Sequence, residues 1–91
     1  MSKVKLKDFY SDWCPPCKKQ SPIIEELKDE YQQVEFQKID VDENEELAQE
    51  YNVSAIPTLI IECDDEIKQR YVGFTKKQEI KDSLEKTTSN C

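Results

Sequence analysis

Cys14 and Cys17 are separated by two prolines in the segment Ser11-Asp12-Trp13-Cys14-Pro15-Pro16-Cys17. The chain has no histidine, which removes the usual general base and the commonest zinc ligand. Chemistry therefore falls to thiols, carboxylates and lysines. Two cysteines in C-x-x-C spacing at the mouth of a helix, inside a βαβ pattern, are the sequence sign of a redox dithiol. The spacing predicts that Cys14 sits at the helix N-terminus, beside unpaired N–H groups and the positive end of the dipole, both of which favour a thiolate. Cys17 lies about one turn behind it, so the sulfurs can meet and Cys17 can resolve a mixed disulfide. Pro15 and Pro16 stiffen the loop. Half a zinc site is the competing reading. It needs two further soft ligands, and only Cys63 and Cys91 remain, without paired spacing. Inert buried cysteines are a second alternative, which the two prolines and Trp13 oppose.

The elements that position this pair follow from periodicity. Residues 3–10 alternate and then run apolar through Phe9 and Tyr10, a strand. A helix is expected over about 15–31, since proline is tolerated in a first turn and Ile23, Ile24, Leu27 and Tyr31 form one stripe. Pro22 falls inside it and is expected to kink it. Residues 34–41 read as a second strand. Asp42 with Glu45 has the pattern of a capping box before a short helix carrying Leu47, Ala48 and Tyr51. Residues 58–61 form a buried strand, Asp64-Asp65 a turn, and residues 67–72 its hairpin partner, ended by Gly73. Thr75 with Gln78 offers another capping box, and Ile80 and Leu84 give the last helix a thin stripe. Residues 87–91 read as a frayed polar tail, after one domain over 1–86. The order is β-α-β-α-β-β-α, an α/β fold whose first two strands should be parallel with a right-handed crossover.

Bulk composition bounds the rest. The chain is 36% apolar and 36% charged, with a net charge of −7. Nucleic acid is excluded as a partner, because phosphate neutralisation needs a basic surface. No run of about 18 apolar residues marks a membrane span. The N-terminal residues lack a signal-peptide pattern, so the expected compartment is the cytoplasm, where structural disulfides are rare. Cys63 and Cys91 accordingly read as incidental thiols.

The stretch Asp8-Phe9-Tyr10-Ser11-Asp12-Trp13-Cys14-Pro15-Pro16-Cys17-Lys18 resembles the active-site segment of the thioredoxin family, most of which has glycine after the first cysteine. Pro22, the stretch Lys38-Ile39-Asp40-Val41-Asp42, the loop Val53-Ser54-Ala55-Ile56-Pro57-Thr58 and Val72-Gly73 match further family segments in order. The resemblance covers residues 3 to 86. It implies a minimal thioredoxin fold with a four-stranded mixed sheet flanked by helices, beginning on what is usually the family's second strand. It implies reduction of protein disulfides, with Cys14 as nucleophile and Cys17 resolving.

Asp8 matches the family's buried acid, which assists proton transfer at Cys17; a solvent-facing strand position is the alternative. Lys38 matches the lysine near that acid. Pro57 is implied to follow a cis bond beside the sulfurs, with the Ile56 backbone pairing with an extended substrate segment. Trp13 is implied to cover the dithiol and Gly73 to permit close backbone approach. No bound cofactor is implied. The implied partners are disulfide-containing clients and a flavin-containing thioredoxin reductase as electron donor, with the protein a monomer. A glutathione-coupled, glutaredoxin-like enzyme is the nearest rival, favoured by small size and opposed by W-C-P-P-C and the lack of Gly-Gly after the proline loop. A non-catalytic binding module on the same fold is the rival from another class.

Overall fold

Strand alternation in β1 (Val4–Tyr10) decides what lies above and below the sheet. Val4, Leu6 and Asp8 point to one face, and Lys7 and Phe9 to the other. In the computed structural model, which describes residues 2–91, β1 is central in a four-stranded sheet of order β2-β1-β3-β4. Strand β2 (Glu35–Asp40) runs parallel to it, with Asp8 opposite Lys38. Strand β3 (Thr58–Cys63) is antiparallel to β1, and β4 (Glu66–Val72) antiparallel to β3. The β3–β4 hairpin turns through Asp64 and Asp65 at φ 50° and 70°, a left-handed pair that aspartate tolerates better than most residues.

Helices α1 (Pro15–Glu30) and α3 (Lys77–Asn90) cover one face. Val4, Leu6, Leu59 and Ile61 pack there against Ile24, Leu27, Ile80 and Leu84 in one core cluster. The short α2 (Glu45–Glu50) serves the other face, where Phe9, Ile39 and Ile60 meet Leu47, Tyr51, Val53 and Ile56. Pro22 lies inside α1 and is exposed. Among the described residues, no helix is long and apolar enough to cross a membrane.

The end of the chain differs from expectation. Residues 87–90 continue α3 rather than fraying, and Cys91 is bonded to Cys63. The stripe Ile80, Leu84, Thr87, Cys91 keeps one face of the helix on the sheet to its last residue. Thr87 is buried, so a polar composition concealed a packed turn. Neither expected capping box forms. Helix α2 starts after Asn44, and α3 after Lys76, with no side-chain cap at either. The Asp42 carboxylate and the Thr75 hydroxyl are engaged elsewhere.

Candidate active site

Helix α1 starts against the carboxyl end of β1, and Cys14 is its N-cap residue. The Cys17 amide donates to Cys14 Sγ at 3.2 Å, using one of the four N–H groups that a helix start leaves unpaired. Pro15 and Pro16 occupy the first two helical positions, where no N–H is needed. Cys14 and Cys17 are disulfide-bonded, and both are largely buried. The environment of Cys14 therefore suits a thiolate when the pair is reduced: an amide donor at the sulfur and the helix dipole behind it.

The loop after α2 closes one side. Its Ile56–Pro57 peptide is cis, and Cys14 Sγ lies 3.8 Å from Ile56 O. Pro57 is buried and Ile56 half-buried. The Gly73 amide donates to Pro57 O at 2.7 Å, joining the end of β4 to this loop. Gly73 has φ +90°, while a Cβ placed there would meet nothing within 4 Å. Within the chain its glycine is required by backbone conformation.

Asp8 is 2% exposed on the α1 face of the sheet, and its Oδ1 has no hydrogen-bond partner in the protein. Burial raises its pKa from 3.8 to about 6, against the opposing pull of Lys38. Asp8 and Cys17 open on one cavity of about 140 Å³, which Ser21 and Lys38 also line. Lys38 is exposed; its Nζ donates to Ser21 Oγ at 3.2 Å and lies 4.6 Å from the Tyr10 ring centroid. A carboxyl that titrates near neutrality, in the same cavity as the second sulfur, can exchange a proton with it.

Trp13 is 70% exposed. It is held at its edge: Nε1 donates to Asp42 Oδ2 at 3.0 Å, and Ser11 Oγ donates to the same oxygen at 3.0 Å. The sequence offered Asp42 as a cap and as part of a family-like strand exit; its role in fixing the active-site loop depends on β2 ending beside β1. Gln20 is fully buried in α1 and carries no motif. Its side-chain amide donates to Thr75 O at 3.1 Å and accepts from Thr75 N at 2.8 Å, tying α1 to the segment after Gly73. A glutamine standing on the apolar stripe of α1 is the sequence sign of that bridge.

The half-zinc-site alternative loses its geometry. Thr58, at the active-site end of β3, pairs with Phe9, whereas Cys63 pairs with Val4 at the far end, about 16 Å along the strand. Cys63 and Cys91 meet each other there, together with Asp64. They are partners in a disulfide and not incidental thiols.

The sheet with helices on both faces, the helix-capping disulfide and the adjoining cis-proline loop define a thiol–disulfide exchange protein. The family model described as Thioredoxin matches residues 1–86, and the chain belongs to the thioredoxin family. It is 44% identical over 86 residues to thioredoxin of Staphylococcus epidermidis, covering 93% of this chain and 83% of that one. It is 43% identical over 84 residues to thioredoxin of Bacillus subtilis, covering 91% and 81%. Among solved structures, a single-substitution variant of thioredoxin from Halobacterium salinarum superposes with a TM-score of 0.90 at 41% identity, over 94% of this chain and 75% of that one. The chain is a thiol–disulfide oxidoreductase that reduces protein disulfides.

Proposed function

We propose that Cys14 is the attacking thiol and Cys17 the resolving one. Cys14 thiolate bonds to one sulfur of a client disulfide, and the other client sulfur leaves as a thiolate that takes a proton. Cys17, giving its proton to Asp8, then attacks Cys14 Sγ and releases the reduced client. Two electrons pass from the dithiol to the client, leaving the Cys14–Cys17 disulfide. The observation that carries this assignment is the Cys17 amide on Cys14 Sγ at 3.2 Å, which stabilises negative charge on Cys14 rather than Cys17.

Asp8 serves as the proton acceptor and Lys38 as the cation that modulates it; their register pairing and shared cavity support this. Clients dock across Trp13, Pro15 and Pro16 on one side and Ile56, Pro57 and Gly73 on the other, with the Ile56 backbone pairing to an extended client segment. A separate reductase, flavin-containing by family resemblance, returns electrons to the disulfide. Electron transport in cell redox homeostasis and a cytoplasmic place of work go with such a donor. A trapping experiment tests the roles. Cys17→Ser should accumulate a client mixed disulfide through Cys14, whereas Cys14→Ser should accumulate none. The reverse pattern would exchange the two assignments.

A further inference from the structure

The second disulfide is left without a part in this reaction. Cys63 ends β3 and Cys91 follows the last turn of α3, 28 residues apart in sequence. Both are half-buried, and both line a cavity of about 290 Å³ with Lys68, Ser83, Lys86 and Thr87. The bond is therefore reachable from solvent. Lys68 and Lys86 line the same cavity, and the Asp64 carboxylate stands beside both sulfurs. The pair lies at the opposite end of β3 from Cys14, so the dithiol of the same molecule cannot reach it.

We propose that Cys63–Cys91 is a second redox centre, opened by the Cys14/Cys17 dithiol of another copy of this chain and releasing the last turn of α3 when it opens. The step balances within the activity already described. Cys14 thiolate of one copy bonds to one sulfur of the Cys63–Cys91 disulfide of its partner, and the other sulfur leaves as a thiolate and takes a proton. Cys17 of the first copy then displaces the second sulfur. The first copy ends oxidised at Cys14–Cys17, and the other holds two free thiols. Opening frees residues beyond Thr87, while Ile80 and Leu84 stay packed and the Tyr31 hydroxyl still donates to Glu85 at 2.7 Å. The catalytic end of the sheet is untouched. This inference rests on Cys14 being the attacking thiol.

The test mixes two variants. The donor carries Cys63→Ser and Cys91→Ser with a reduced Cys14/Cys17 pair; the acceptor carries Cys14→Ser and Cys17→Ser with its remaining disulfide closed. Alkylation of Cys63 and Cys91, resolved by peptide mass, follows the opening. The expected result is opening faster than with an equal concentration of dithiothreitol, at a rate that doubles when the donor doubles. A donor that reduces an aromatic disulfide dye but leaves Cys63–Cys91 closed overturns the proposal and leaves the catalytic reading intact. A donor that reduces neither contradicts the catalytic reading itself. Should either variant fail to fold by circular dichroism, the unmodified chain serves under limiting dithiothreitol: opening of Cys63–Cys91 per molecule must quicken as protein concentration rises, and independence of that concentration refutes the proposal.

Discussion

Asp8 is a carboxyl buried on the α1 face of the sheet. Its folded pKa of about 6 exceeds the ordinary 3.8 because burial disfavours the carboxylate. The folded state therefore holds this proton more tightly than the unfolded chain. No penalty exists below pH 3.8; it grows as pH rises and is complete above about 6, reaching on the order of 3 kcal/mol. Asp8→Asn should accordingly stabilise the protein by up to about 3 kcal/mol at pH 8 and by nearly nothing at pH 3.5. Urea unfolding at the two pH values measures this, and an equal gain at both would remove burial of the charge as the cause. The same variant should slow client release by roughly 10²-fold, the low end for a lost proton acceptor, and flatten the rise in rate between pH 5 and 7. At this scale the sequence was most informative. Cys14 and Cys17 announce themselves by spacing and context, and Pro57 only through the resemblance of its loop to the family's. Asp8 was ambiguous by alternation alone, since it lies between Leu6 and Phe9, which point to opposite faces, and packing under α1 makes it buried. Asp42 misled, because a carboxylate three residues before a glutamate reads locally as a cap while its partners, Ser11 and Trp13, lie on a distant stretch.

Between elements, two polar connections hold the site and the sheet. Gln20 satisfies both backbone groups of Thr75 in a buried position. Gln20→Leu leaves a donor and an acceptor without partners, at about 1–3 kcal/mol each. The expected result is a lower melting temperature together with weaker client binding, since the segment after Gly73 loses its tie to α1. A fall in melting temperature with unchanged KM would confine Gln20 to stability. On the α2 face, Lys7 Nζ meets Glu62 Oε1 at 2.8 Å and Tyr51 Oη donates to Glu62 Oε2 at 2.7 Å. Burial pushes the Lys7 pKa down, but the bonds to Glu62 and Tyr51 outweigh it and the net shift is upward. Glu62→Leu alone strands a buried cation and should cost about 3–5 kcal/mol, whereas the double change Lys7→Met with Glu62→Leu should be close to neutral. Thermal melts of the two variants check this; equal losses would mean the pair itself is the stabilising feature. The strands and helices were readable because their apolar periods are clean. The starts of α2 and α3 were not: distant Ser11 and Trp13 hold the Asp42 carboxylate, and the Thr75 hydroxyl turns back to Gly73 O instead of capping.

For the whole molecule, a 91-residue chain with 36% apolar residues has a small core, so a covalent tie matters. Closing the Cys63–Cys91 loop of 28 residues removes unfolded-state entropy worth about 3–4 kcal/mol. Replacing both cysteines by serine should lower Tm by roughly 10–20 °C at pH 7. Client reduction at 25 °C should be unaffected, because the pair lies at the far end of β3 from Cys14. Scanning calorimetry beside an insulin-reduction assay separates the two, and a loss of activity in step with Tm would couple the sites. This tie was hidden in the sequence. Cys63 and Cys91 share no motif, and their meeting depends on α3 running its full length against β3. Everything at the active site turns on Cys14 and Cys17 forming a reducing dithiol. That dithiol is tested most directly by equilibrating the chain in thiol buffers of defined potential while following fluorescence of Trp13, the single tryptophan. The expected result is one two-electron transition at Cys14–Cys17, more negative than the glutathione poise of about −220 to −260 mV. A midpoint near −200 mV or above, or no two-electron transition at that pair, would contradict it.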